Sequence, residues 1–201
     1  MTQYCTIFNA NINIITIIFC APCARTTVRD AAILPPSYSI WVGSWNVADQ
    51  PPPAADVLRR FLPLAATDRS GAVKGGYDVY AVGLQEVRSA ADGWRAALEA
   101  AVGPTHRTIA YVELSGIHLM VLLRSTLHAC CSPPVTATRA TGFANVMGNK
   151  GGAGCSFVLH GSTRLAFVTS HLAARATRVR LKLRCANYAD ICNDLGEILF
   201  I

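Results

Sequence analysis

Three polar side chains stand directly after apolar runs that are typical of buried strands. Asn46 follows "IWVGSW", Glu86 follows "YAVGLQ" and His171 follows "LAFVTS". A carboxylate at the mouth of a buried strand suits Mg²⁺, and an amide can orient that carboxylate or contact a phosphoryl oxygen. A histidine there can donate to phosphate or act as an acid or base. Each residue also has an ordinary structural interpretation, as a solvated glutamate, a turn-forming asparagine or a core-edge histidine.

A glycine-rich segment, "TGFANVMGNKGG" (Thr141 to Gly152), offers a second kind of chemistry. Its backbone N–H groups can face an anion, and Lys150 adds a point charge for phosphate. The alternative is a flexible glycine turn with a solvated lysine. The basic residues between Arg175 and Arg184 are first interpreted as a solvated helix face.

The elements that must position these residues follow from hydrophobic periodicity. Strands are predicted at 39–47, 77–87, 107–114, 117–124, 153–160 and 165–170, and helices at 51–67 (broken or kinked at Pro63), 92–102 and 177–195. The last two strands form a hairpin with Gly161 in the turn. Strands outnumber helices, so we expect an α/β fold, a layered α/β sandwich with mixed, largely antiparallel sheets.

Composition narrows the class of protein. Of the 201 residues, 52% are hydrophobic and only 15% are charged, which excludes a disordered chain. The formal charge of +6 favours an anionic partner such as nucleic acid, a phosphate-bearing substrate or an acidic membrane face. The apolar stretch Ile7–Cys20 contains three asparagines, so it is too short and too polar to span a membrane, and it lacks the basic start of a secretory signal.

The eight cysteines do not form the pattern of a disulfide framework. Cys130 and Cys131 are adjacent, and Cys20 and Cys23 make a CxxC with no second Cys/His pair at zinc spacing. We interpret them as reduced thiols of an intracellular protein and expect a cytoplasmic location with peripheral association at membranes.

Taken together, "SWNV", "DVYAVGLQEV", "TGFANVMGNKGG" and "FVTSHLAA" resemble the inositol polyphosphate 5-phosphatases, within the exonuclease–endonuclease–phosphatase group of Mg²⁺-dependent phosphoesterases. The resemblance runs from about residue 39 to about residue 191. "GNKGG", followed by a strand hairpin and "SHLAA", is specific to the phosphatase branch, whereas "WNV" and "QE" are shared more widely.

The resemblance implies a role for each matching residue. Glu86 matches the Mg²⁺-ligating glutamate, and Asn46 matches an asparagine close to the metal and the scissile phosphate. His171 matches a histidine of the phosphate cradle, so these three are the expected catalytic residues. Asn149 and Lys150 match the pair that meets substrate phosphate groups, and the basic helix retains Arg184, which we place with them. The implied reaction is in-line attack of water on a phosphate ester.

Several positions depart from the family pattern. The first box usually continues with Asn-Gly, whereas Ala48-Asp49 stands here, and a second histidine often found after "SHLAA" is replaced by Arg175. The following helix usually carries Glu-Arg-Arg and then Asn and Asp, but it reads "KLRCANYAD" here.

The largest departure concerns the boxes that come later in the family. "GDLNYR", "PAWCDR" and "SDH", which supply further catalytic residues, do not occur before Ile201. We therefore expect a C-terminally truncated copy: a non-matching extension and linker at 1–38, a partial catalytic domain at 39–195 and a non-matching tail at 196–201.

The expected partner is a phosphoinositide or a soluble inositol polyphosphate, with Mg²⁺ as cofactor, peripheral contact with anionic membranes and no nucleic acid. The truncation predicts little activity for this chain. Two alternatives remain: a non-catalytic phosphoinositide-binding fragment and, less favoured, a nuclease of the same group.

Overall fold

The computed structural model describes residues 3–9, 13–20, 38–63, 65–67, 73–141 and 150–199. The strands within these ranges are β1 Gln3–Asn9, β2 Asn13–Cys20, β3 Ile40–Asn46, β4 Ala65–Thr67, β5 Val73–Gly75, β6 Val79–Gln85, β7 His106–Leu114, β8 Ile117–Arg124, β9 Val135–Ala140, β10 Gly151–Leu159 and β11 Thr163–His171. The helices are α1 Ala55–Phe61, α2 Ala91–Val102 and α3 Arg178–Leu199, and a 3-10 helix covers Ser125–Cys130.

One sheet is mixed and has the strand order β3-β6-β8-β7. β3 runs parallel to β6, whereas β8 pairs antiparallel with both β6 and β7. Every residue of β6 is buried, as are the first seven residues of β8. Burial on both faces explains why these strands are nearly continuous apolar runs in the sequence.

The second sheet is antiparallel throughout, in the order β1-β2-β11-β10-β9. β10 and β11 form the predicted hairpin, in whose turn His160 and Gly161 have φ of 49° and 66°. β9 lies at the edge of this sheet and is largely exposed, so its sequence lacks an apolar stripe and did not predict a strand. The β1–β2 hairpin was not predicted either.

The two sheets pack face to face, and their inner faces form one core in which Leu119 and Val121 meet Phe157 and Phe167. The outer face of the first sheet is covered by α1 and α2 through side chains such as Trp94. The outer face of the second sheet carries α3. The predicted layered α/β sandwich with mixed, largely antiparallel sheets is therefore confirmed.

Helix boundaries differ from the prediction for physical reasons. α1 ends at Phe61, just before Pro63, whose missing N–H cannot extend a helix. α3 continues to Leu199, four residues beyond the predicted end, because Leu195 and Leu199 remain buried on the sheet. The domain limits at 38/39 and 195/196 stay a prediction.

Among the described residues, no helix combines the length and the apolarity needed to cross a membrane. The cysteines described with their side chains, Cys130, Cys131, Cys155, Cys185 and Cys192, carry free thiols.

Candidate active site

The three strand exits singled out in the sequence meet at one point. Asn46 is the last residue of β3, Glu86 follows β6, and His171 is the last residue of β11. Asn46 Nδ2 donates to Glu86 Oε1 at 3.0 Å, and His171 Nε2 lies 3.7 Å from the same oxygen. A parallel pair from one sheet and a strand of the other thus deliver an amide, a carboxylate and an imidazole to a common site.

Asn46 combines the two interpretations that its sequence left open. Its Oδ1 accepts a hydrogen bond from Ala48 N–H at 3.0 Å, as in a turn, while its Nδ2 binds Glu86. Because both ends of the amide are occupied, Asn46 orients the carboxylate. Its own oxygen faces the turn.

Glu86 has a strained backbone, with φ of 61°. A non-glycine residue in this region costs on the order of 1–3 kcal/mol and persists only where neighbouring structure holds it. Asp49 N–H donates to Glu86 O at 2.8 Å, and Val87 N–H donates to Gly116 O at 3.1 Å, so both polar groups of the peptide unit after Glu86 are fixed. This backbone conformation turns the Glu86 carboxylate away from strand β6 and into the site.

The turn after Asn46 contains the departure from the family's Asn-Gly. Ala48 and Asp49 both have positive φ, 50° and 57°, a conformation that Asn and Gly adopt more readily than Ala. The Asp49 side chain offsets the cost of this backbone conformation, because its Oδ1 accepts hydrogen bonds from Arg88 N–H at 2.8 Å and from Ser89 N–H at 2.9 Å. These backbone hydrogen bonds lower the pKa of Asp49.

Lys150 and His171 form the basic side of the site. Lys150 Nζ lies 2.8 Å from His171 Nε2 and 3.3 Å from Nδ1. Burial, reinforced by the Lys150 charge, lowers the pKa of His171 to about 4. Burial also lowers the pKa of Lys150, although the Glu86 charge opposes that change. The imidazole is therefore neutral at pH 7, and we assign the ammonium as the donor to it.

A buried amide joins the three strands one layer below the site. Gln85 is fully buried; its Nε2 donates to Ser44 Oγ of β3 at 3.1 Å and to Thr169 Oγ1 of β11 at 3.0 Å. Ser44 and Thr169 each stand two residues before a site residue, Asn46 and His171. Gln85 therefore sets the relative position of the strand exits.

A cleft opens over this cluster, lined by Glu86, Arg88, Ser115, Gly116, Lys150 and His171. Arg88 and the Ser115–Gly116 turn between β7 and β8 were not predicted from the sequence. A Cβ atom at Gly116 would lie 3.2 Å from Val87 O, so the glycine permits this turn to approach the loop after β6. A charge two residues beyond the "QE" pair was the available signal for Arg88.

The remaining predicted site residues lie elsewhere. The Arg184 guanidinium donates to the carbonyls of Arg175 at 2.6 Å and Ala173 at 3.3 Å, so it supports the segment after β11 and is not in the cleft. Asn149 lies outside the described residues.

The last two glycines of "GNKGG" do not form a loop cradle. Gly151 and Gly152 are the first residues of β10, paired with β9 and β11. A Cβ atom at Gly152 would lie 2.7 Å from Ile191 Cγ2 of α3, and one at Gly154 would lie 2.8 Å from Leu199 Cδ1. These positions are small because the helix packs closely on the strand.

Among the described residues that line the cleft, one carboxylate, that of Glu86, is offered to Mg²⁺. The Glu86 side chain is 37% exposed in the cleft, and Mg²⁺ commonly binds one or two carboxylates while retaining waters for a phosphate substrate. No group of three or more His, Cys, Asp or Glu side chains suited to a metal occurs among the described residues. Glu86 is thus the residue that would hold the ion, and Asn46 would orient the Glu86 carboxylate.

The chain is similar in sequence to known proteins over most of its length. The family model described as Endonuclease/Exonuclease/phosphatase family 2 matches residues 43–197. Phosphatidylinositol 3,4,5-trisphosphate 5-phosphatase 1 from Rattus norvegicus and from Homo sapiens are each 32% identical over 168 residues, which cover 81% of this chain. The chain spans 14% of the length of these two relatives.

A solved structure shares the fold. The inositol polyphosphate 5-phosphatase domain of SPsynaptojanin, in complex with inositol (1,4)-bisphosphate and calcium ion, matches with a TM-score of 0.61 and 24% identity. The match covers 78% of this chain and 46% of that one.

Proposed function

The chain belongs to endonuclease/exonuclease/phosphatase family 2, and we propose that its cleft hydrolyses a phosphate monoester of an inositol phosphate or phosphoinositide, as an inositol polyphosphate 5-phosphatase does. The observation that carries this proposal is the convergence of Asn46, Glu86 and His171 at the exits of three strands, with Lys150 beside them at the start of β10. The relatives from Rattus norvegicus and Homo sapiens are both 5-phosphatases, which supports this reaction class and favours it over a nuclease.

Each residue has a role that follows from its contacts. Glu86 would hold a divalent cation, which we propose is Mg²⁺; when bound, the ion stabilises charge on phosphate oxygens and lowers the pKa of a bound water. Asn46 fixes the carboxylate through its 3.0 Å hydrogen bond. Lys150 supplies a positive charge to the phosphate, and the neutral His171 supplies a hydrogen-bond donor beside it.

A second candidate function is binding of the same ligand without turnover. Glu86 is the one carboxylate among the described residues that line the cleft, and a histidine with a pKa of about 4 is a weak base at pH 7. A phosphate would still be held by the cationic lining. The single carboxylate and the weakly basic histidine favour a site that binds the ligand without hydrolysing it, in agreement with the low activity predicted from the sequence.

We propose further that the protein is cytoplasmic and reaches its ligand at anionic membrane surfaces. Arg178, Arg180 and Lys182 are exposed at the start of α3, with Val179 and Leu181 exposed between them. Each basic residue near an acidic membrane contributes about 1 kcal/mol. Co-sedimentation with phosphatidylserine vesicles should weaken with salt, and equal binding to neutral vesicles would contradict the proposal.

Phosphate release tests the function directly. The full chain is incubated with a 5-phosphorylated inositide and Mg²⁺, beside Glu86→Gln and the matched control Glu197→Gln, which changes the same charge on an exposed position of α3. Release that depends on Mg²⁺ and is abolished only by Glu86→Gln supports hydrolysis. Tight binding without release supports the second candidate, and neither binding nor release refutes both.

A further inference from the structure

A thiol and an imidazole meet at the end of the β10–β11 hairpin that lies away from the cleft. Cys130 is the last residue of the 3-10 helix, and its Sγ lies 3.2 Å from Nε2 of His160 in the hairpin turn. At the cleft end of the hairpin, Gly151 pairs with His171. From there β10 runs to Leu159, about 26 Å away at about 3.3 Å per residue. The thiol–imidazole pair is therefore separate from the candidate active site.

Several contacts hold the two groups in place. His160 N–H donates to Cys130 O at 2.8 Å, and the His160 ring is stacked with the Tyr38 ring at an interplanar angle of 17°. Cys130 Sγ also lies 3.1 Å from Leu127 O. One arrangement satisfies both contacts of the sulfur: the thiol donates to Leu127 O, and the Nε2–H of His160 donates to the sulfur. When the thiol loses its proton, that N–H group remains as a donor to the negatively charged sulfur and stabilises it.

The other described thiols lie in different surroundings. Burial raises the pKa of Cys131 and raises the pKa of Cys155 to about 12, so both stay protonated at pH 7. Cys185 and Cys192 are exposed on α3. Among the described cysteine side chains, Cys130 is the one whose sulfur contacts an imidazole. Exposure alone predicts that Cys185 and Cys192 react fastest, whereas the hydrogen bond to sulfur favours Cys130.

The Cys130 sulfur is accessible to a small reagent. Cys130 is half-buried and His160 is exposed, so the pair lies at the surface. The thiolate is the nucleophile in thiol–disulfide exchange, and a group that stabilises it raises the fraction available for attack. A low-molecular-weight disulfide is therefore a reagent that this pair suits.

We propose that Cys130 is a modification site that exchanges with a low-molecular-weight disulfide such as glutathione disulfide, and that His160 activates its sulfur. The Cys130 sulfur attacks one sulfur of the reagent, whose disulfide bond breaks as the new mixed disulfide forms. The thiol proton goes to solvent, and the released glutathione thiolate takes one up, so the products are the mixed disulfide and glutathione. The neighbouring Cys131 keeps its proton and donates it to Ser132 O, so it does not displace the bound glutathione. The proposal does not depend on the proposed function.

The test follows thiol exchange on the full reduced chain at pH 7. Wild type and His160→Asn are incubated with millimolar glutathione disulfide, and remaining thiols are blocked with N-ethylmaleimide. Tandem mass spectrometry then gives the fraction of each cysteine in mixed disulfide and separates Cys130 from Cys131. Asparagine tolerates positive φ, so it keeps the turn in which His160 has φ of 49° while it removes the imidazole. The exposed thiols of Cys185 and Cys192 are controls within the same sample.

In the wild type, Cys130 should form the mixed disulfide at least about tenfold faster than Cys185 and Cys192. His160→Asn should slow Cys130 about tenfold, because one hydrogen bond to a charged sulfur is lost, and should change the two exposed thiols less than about twofold. A wild-type Cys130 that reacts no faster than the exposed thiols would overturn the proposal. So would a Cys130 rate that His160→Asn leaves unchanged. If His160→Asn does not fold, the comparison of the three thiols in the wild type decides alone.

Discussion

Replacing Gln85 with methionine should destabilise the protein by about 2–4 kcal/mol. The Gln85 side chain is fully buried and donates to Ser44 Oγ at 3.1 Å and Thr169 Oγ1 at 3.0 Å. Methionine has a similar length but no donor, so it leaves two hydroxyls without their partner. Each buried polar group that loses its partner costs about 1–3 kcal/mol. Thr169 is completely buried and should account for the larger part.

Urea denaturation followed by circular dichroism measures this cost. Gln50→Met is the matched control, because Gln50 is exposed and its side chain makes only a 3.4 Å contact with Ala48 O. It should change the free energy of unfolding by less than about 0.5 kcal/mol. The double variant Gln85→Met with Thr169→Val removes both partners of one hydrogen bond and should recover at least about 0.5 kcal/mol relative to additivity. If Gln85→Met behaves like Gln50→Met, the bridge between the strands does not stabilise the fold.

Three further predictions concern the turn, acid stability and metal binding. Ala48→Gly should raise the free energy of unfolding by about 1 kcal/mol, because φ of 50° is unfavourable for alanine; a lower midpoint in urea would contradict this. Burial tends to raise the pKa of Asp78, but hydrogen bonds from Ser39 and Arg124 outweigh it and lower the pKa, so the stability that Asp78 provides is present above about pH 4 and is lost as the pH falls further. The stability difference between wild type and Asp78→Asn should therefore shrink below pH 4, and a constant difference would refute the assignment. Millimolar Mg²⁺ should raise the melting temperature of the wild type but not of Glu86→Gln, and an equal rise in both would place the ion elsewhere.

The strand exits could be predicted because their signal is local. A strand buried on both faces is a continuous apolar run, so the first polar residue after it marks the end of the strand. Glu86 and His171 were found in this way, and the structure places them 3.7 Å apart. That they meet at all depends on two different sheets packing in register, which no local pattern contains.

The roles of the glycines could not be predicted from their neighbourhood. An anion-binding turn and a strand under a closely packed helix both require small residues, so "GNKGG" fits either. The helix residue Ile191 decides the matter at Gly152, and it comes much later in the chain. Arg184 is a similar case, because its carbonyl partners are set by the path of the segment after β11.

The departure at Ala48-Asp49 and the unexpected Arg88 are connected through one carboxylate. Where the family usually has glycine, Asp49 adopts positive φ and pairs its N–H with Glu86 O. Its Oδ1 then accepts from the N–H groups of Arg88 and Ser89, which glycine could not do. Asp49 therefore both tolerates the strained turn and fixes the backbone of Glu86, the proposed metal ligand, and of Arg88. Asp49 ties the loop after β3 to the loop after β6. A substitution in the Ala48-Asp49 turn therefore also disturbs Arg88 in the lining of the cleft.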